Sequence, residues 1–123
     1  MTICITTDAN GDGAKVDPRF GRAPFFTFVD TESGASRVVA NVYASGASGV
    51  GAQVAQMVSE NGAEAVVTGQ VGPSAFRVLE AAGVTVYTSR AVPVAEAVES
   101  HRTGTLEQAG GATGPGHQGV GRS

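Results

Sequence analysis

A single cysteine, Cys4, rules out an internal disulfide, and one thiol cannot by itself hold a cysteine-ligated iron–sulfur cluster. It lies in the apolar run "TICIT" with no histidine near it in sequence, which reads as a buried, inert thiol. Positive charge is also scarce: eight Lys and Arg stand against eleven Asp and Glu, for a net charge of -3. That excludes a general nucleic-acid binder, which carries a basic face. It does not exclude a site for a small anion, because local donors can outweigh the global field. No apolar run is long enough to cross a bilayer. The N-terminus "MTICITTD" has neither the basic region nor the cleavage site of a signal peptide. The expectation is a cytoplasmic protein that binds neither nucleic acid nor membrane.

What the chain does have is enough for one folded domain, with 123 residues of which 41% are hydrophobic. Thr2–Thr6, Phe25–Asp30 and Ser36–Val42 read as strands, the last two joined by the tight turn "TESG" and therefore antiparallel neighbours. The period then changes. Val50, Val54, Met57 and Val58 recur at helical spacing, and Asn61-Gly62 stops that helix. Glu64–Gly69 is a short buried strand. A second helix follows with Pro73 in its first turn and Gly83 at its end. Val84–Thr88 is a fifth strand, and a third helix runs from Pro93 to its stop at Gly104. The order β-β-β-α-β-α-β-α demands parallel pairing and right-handed crossovers in its second half. The economical solution is an α/β fold with a mixed five-stranded sheet, order 3-2-1-4-5 with strand two antiparallel, flanked by three helices, an arrangement resembling ribonuclease H. The domain spans 1–109. From Gly110 to Ser123 the chain is glycine-rich and aperiodic, and it reads as a disordered tail in which His117 is a solvated bystander.

In this topology three loops leave one edge of the sheet, where ligands of open α/β sheets bind. The first holds "DPRFGRAP", with Arg19 and Arg22 on either side of Phe20 and Gly21. The second, through Ser45, Gly46, Ala47, Ser48, Gly49 and Val50, is built of small residues and enters the first helix. The third, Gly69, Gln70, Val71, Gly72, Pro73 and Ser74, enters the second. Exposed backbone N–H groups, two helix N-termini and two guanidinium groups together form a chemically sensible cradle for an anion. Each loop by itself also reads as a capping device, with Ser48 or Ser74 as caps. The glycine spacing is not that of a dinucleotide fingerprint, and the lysine of a phosphate-binding P-loop is missing. Strands "TICIT" and "AVVT" carry no acid, so the metal-holding carboxylates of a nuclease are absent. Asp17 precedes Pro18 and reads as a turn cap, and His101 reads as a favourable cation at the end of the third helix.

The stretch "DPRFGRAPFFTFVD", the loop and helix "SGASGVGAQVAQMVSENG" and the pattern "GQVGPSAFRVLEAAG" together resemble the dinitrogenase iron–molybdenum cofactor biosynthesis family, over roughly Met1 to Leu106. The resemblance implies a ribonuclease H-like fold and a non-enzymatic protein that binds metal–sulfur clusters. The cargo would be a non-covalently held molybdenum–copper sulfide cluster or an iron–molybdenum cofactor precursor. It also implies association with ParA/MinD-type ATPases. Many members carry histidine before "FGRA" and in the loop before the first helix. Here Arg19 and "SGASG" occupy those places, which favours an anion held by charge, N–H donors and apolar contact over a direct histidine–metal bond.

Overall fold

The computed structural model describes residues 1–11, 13–44 and 50–110. The small-residue stretch Ser45–Gly49 and, apart from Gly110, the expected tail lie outside these residues. Six strands, β1 (Thr2–Thr7), β2 (Phe25–Asp30), β3 (Ser36–Ala40), β4 (Ala65–Thr68), β5 (Thr85–Thr88) and β6 (Glu107–Gln108), form one sheet in the order β3-β2-β1-β4-β5-β6. Three helices, α1 (Val50–Glu60), α2 (Pro73–Ala81) and α3 (Val94–Thr103), complete the architecture. β2 runs antiparallel to both β1 and β3, while β4 and β5 continue parallel to β1. The five expected strands and their order are all present. β6 is an addition, a two-residue edge antiparallel to β5.

Local chemistry explains the boundaries. The β2–β3 turn closes because Asp30 Oδ1 accepts the amides of Glu32 (2.9 Å) and Ser33 (3.4 Å), and Gly34 takes the left-handed conformation at φ 79°. Gly104 ends α3 in the same conformation, at φ 74°. His101, in the last turn of α3, sits edge-on to the Tyr87 ring, with centroids 5.3 Å apart. β3 is shorter than expected. The chain turns at Asn41, whose Nδ2 donates to the carbonyls of Gly21 (3.1 Å) and Ala23 (2.8 Å), and Val42 is left 81% exposed.

Alternation along each strand splits the core into two layers. Cys4, Phe26, Phe28, Val66 and Val86 pack with Val54, Val58, Ala75 and Leu79 from α1 and α2. Ile3, Ile5, Val29, Ala65 and Val67 pack with Ala97 of α3. Among the described residues α3 is the one helix in this second layer, and a groove of about 510 Å³ lies between its Val94 and Val98 and the β2–β3 residues Val29 and Val38. No helix among the described residues is long and apolar enough to cross a membrane.

Candidate anion-binding cleft at the sheet edge

The cleft begins where β1 and β4 end. The Asp17 amide donates to the Thr6 carbonyl (2.7 Å), the Thr6 hydroxyl donates back to the Asp17 carbonyl (2.7 Å), and Thr6 and Thr68 share a hydroxyl hydrogen bond of 2.8 Å. The segment after Asp17 then docks on the loop after β4. Gln70 N–H donates to the Pro18 carbonyl (2.7 Å) and Phe20 N–H to the Gln70 carbonyl (3.1 Å), so that Arg19 and Gln70 form a parallel bridge. Gly69 makes this approach possible, since a Cβ there would stand 2.6 Å from Pro18 Cα and 2.9 Å from its carbonyl oxygen. Side chains alternate here as in a strand. Phe20 and Val71 enter the core at 2% and 1% exposure, while Arg19 and Gln70 remain exposed.

The third wall is the start of α1. A Cβ on Gly21 would meet Gly51 Cα at 3.4 Å, and one on Gly51 would meet Ala75 Cβ at 3.4 Å. The loop after β1 and the first turns of α1 and α2 therefore touch through a line of small residues. Arg22 Nη1 donates to the Ala44 carbonyl (2.9 Å), tying the first wall to the chain leaving β3. α2 begins at Pro73 with Gly72 as its N-cap and no side-chain cap, so the Ser74 hydroxyl does not close the helix start. The helix end keeps the partial positive charge of its first-turn amides.

Arg19 has a definite partner. The Asp17 carboxylate is buried, with 4% of the side chain exposed. It accepts Arg19 Nε at 3.1 Å, Nη2 at 3.0 Å and the Arg19 backbone amide at 2.9 Å. The backbone bond is the turn cap expected of an aspartate before proline, and the forked contact holds the Arg19 guanidinium pKa above its ordinary value. The structure thus brings Arg19, Gly21, Arg22, Val50 and Gly69 to Ser74 to one edge, with Phe20, Val50 and Val71 buried. Sequence reasoning missed two framework residues. Asn41 falls inside the strand expected from the sequence, although Asn is a turn-favouring residue. Gly51 falls inside the expected helical pattern, where the absence of a side chain permits close backbone approach.

No group of three or more His, Cys, Asp or Glu able to hold a metal ion occurs among the described residues. Cys4 is fully buried in β1, and burial pushes its thiol pKa far up. It should therefore be inert to a thiol reagent such as Ellman's in the native protein and react only at the rate of unfolding. Fast labelling of folded protein would mean that β1 is open to solvent.

The dinitrogenase iron–molybdenum cofactor family matches residues 1–104. Among solved structures, the apo form of the orange protein from Desulfovibrio gigas superposes with a TM-score of 0.87 at 36% identity, covering 92% of this chain and 96% of that one. A candidate NifB protein from Thermotoga superposes with a TM-score of 0.81, also at 36% identity, covering 94% and 98%. An uncharacterized protein of Methanocaldococcus jannaschii is 28% identical over 111 residues, 88% of this chain and 91% of its own. With the family match running from the first strand to the end of α3, this chain belongs to the dinitrogenase iron–molybdenum cofactor family.

Proposed function

We propose that the chain binds and carries an anionic metal–sulfur cluster, non-covalently and without turnover, in the cleft formed by Pro18 to Arg22, the start of α1 and Gly69 to Ala75. The observation that carries this reading is the docking of Pro18 and Phe20 onto Gln70. With the close approach of Gly21 to Gly51 and of Gly51 to Ala75, it brings two arginines and the starts of α1 and α2 to one edge of the sheet. The donor set fits such a cargo. It offers guanidinium and backbone N–H groups to sulfido or oxo ligands, and small residues that let a bulky cluster approach the backbone. A cluster whose own sulfides complete the metal coordination needs no thiolate or imidazole from the protein. Family membership and the likeness to the orange protein support the same class of cargo, of which a molybdenum–copper sulfide cluster and an iron–molybdenum cofactor precursor are the two leading forms.

The test is a visible-absorption titration of the apo-protein with tetrathiomolybdate and cuprous ion, repeated on Arg22→Ala and on Arg19→Ala/Arg22→Ala. Charge-assisted hydrogen bonds contribute on the order of 1.5–3 kcal/mol each, so each lost contact should weaken uptake by roughly ten- to hundred-fold. A folded double variant that binds like wild type would remove this edge as the site. If the wild-type protein takes up no colour, the two arginines are better read as a docking surface for a partner such as a ParA/MinD-type ATPase.

A further inference from the structure

The geometry points to Asp17 as a specificity-determining residue of the proposed cleft: its buried carboxylate fixes Arg19 at the rim and offsets that arginine's charge, lowering the positive charge of the cleft so that it favours soft sulfide anions over common oxyanions. This inference rests on the cluster-binding reading above and assigns a role to a residue outside the anion-contacting set.

Three observations carry it. Asp17 is 3% exposed, so its charge was taken from water for a structural or electrostatic purpose. Its backbone is anchored from both sides to Thr6, and Thr6 is linked to Thr68, so the carboxylate has a fixed position at the ends of β1 and β4. Both carboxylate oxygens are engaged by Arg19, through Nε and Nη2. The guanidinium has five N–H donors. The fork on Asp17 uses its Nε–Nη2 edge and leaves the Nη1 end for other contacts.

The consequence is a pre-aimed donor whose positive charge is offset. Sulfate, phosphate and molybdate are compact and strongly hydrated, so they give up more hydration on entering the cleft and depend more on positive charge there to offset it. A thiomolybdate-type anion spreads the same charge over larger, weakly hydrated sulfur atoms. Directed N–H groups and apolar contact from small residues are enough for it. An unpaired arginine here would draw in both kinds of anion, whereas the Asp17–Arg19 pair penalises the hydrated one more.

The experiment compares wild type with Asp17→Asn, which keeps an acceptor for the Arg19 amide but removes the charge. Affinities for tetrathiomolybdate, molybdate and sulfate are measured across a salt series, by absorption for the first and calorimetry for the others. In Asp17→Asn the oxyanion affinities should rise about ten-fold, as expected for one unit of charge near the ligand. The preference for tetrathiomolybdate over molybdate should fall by at least that factor, and the salt dependence should steepen. Asp17→Glu should restore the wild-type preference, which a merely structural role would not require. Should Asp17→Asn not fold, Asp17→Ser carries the same comparison. If wild type binds tetrathiomolybdate and the folded variant keeps both its preference and its salt dependence, this inference falls while the cluster-binding reading stands. If wild type does not bind tetrathiomolybdate, the reading falls and this inference with it.

Discussion

Replacing Phe20 with alanine is expected to cost about 3–5 kcal/mol of folding stability, the range for a fully buried aromatic. The ring is 2% exposed and packs at a tilt against Phe26, with centroids 6.3 Å apart. It belongs to the same apolar layer as Val54, Val71, Ala75 and Leu79. Its removal opens a cavity directly beneath the cleft, between the loop after β1 and the helices it faces. A domain of this size has about 5–15 kcal/mol to lose, so the variant should be marginal, with a melting temperature lower by 10 °C or more. Phe20→Leu should recover much of the loss by refilling the volume. A thermal melt decides the matter. An alanine variant within a degree or two of wild type would place the ring at the surface.

Gly69→Ala is expected to break the cleft by a different route. An added Cβ would stand 2.6 Å from Pro18 Cα and 2.9 Å from Pro18 Cβ, and these atoms belong to a rigid ring and its backbone. The loop cannot yield by a rotamer change. It must retreat, and the bonds from Gln70 N–H to Pro18 and from Phe20 N–H to Gln70 lengthen with it. Overpacking of this kind costs about 1–3 kcal/mol, sometimes more. The signature is local: the amides of Gln70 and Phe20 should lose protection from hydrogen exchange, while those in the middle of β1 and β4 keep theirs. Ligand uptake should fall with that protection. Unchanged exchange at Gln70 and Phe20 would show that the two loops have room for a methyl group.

The five principal strands and three helices were legible because each has a strong local signal. Val50, Val54 and Val58 give α1 its apolar stripe, and Pro73 and Gly104 punctuate α2 and α3. β6 carries no such signal. Glu107 and Gln108 are polar and exposed, and they pair only because β5 offers an open edge at Tyr87 and Thr88. That the loops after β1 and β4 leave the same edge of the sheet was also legible, since it follows from strand order. The internal wiring of the cleft was not. A sequence shows that Asp17 lies two residues from Arg19, but it does not show that Thr6 pins the Asp17 backbone and leaves the carboxylate buried. Nor does it show that Phe20 turns inward while Arg19 turns out. That is decided by the Arg19–Gln70 bridge, a contact between residues far apart in the chain.

The strand order also shapes how the molecule assembles. In the β1–β2–β3 meander the β2–β3 pairing is closed by a tight turn, while β1 and β2 are joined through the long segment that carries Asp17 to Arg22. The other edge of β1 has to wait for β4, with Ile3 meeting Ala65 and Ile5 meeting Val67. Closing a loop of that length costs more entropy than closing a hairpin, and pairings of high sequence separation set the pace of folding. The contact of Gln70 with Pro18 and Phe20 is made just beyond the last β1–β4 pair, in the same strand direction. The cleft is therefore not a finished loop waiting for a scaffold. It depends on the β1–β4 pairing, so a variant that loosens that pairing loses the Pro18–Gln70–Phe20 contact with it.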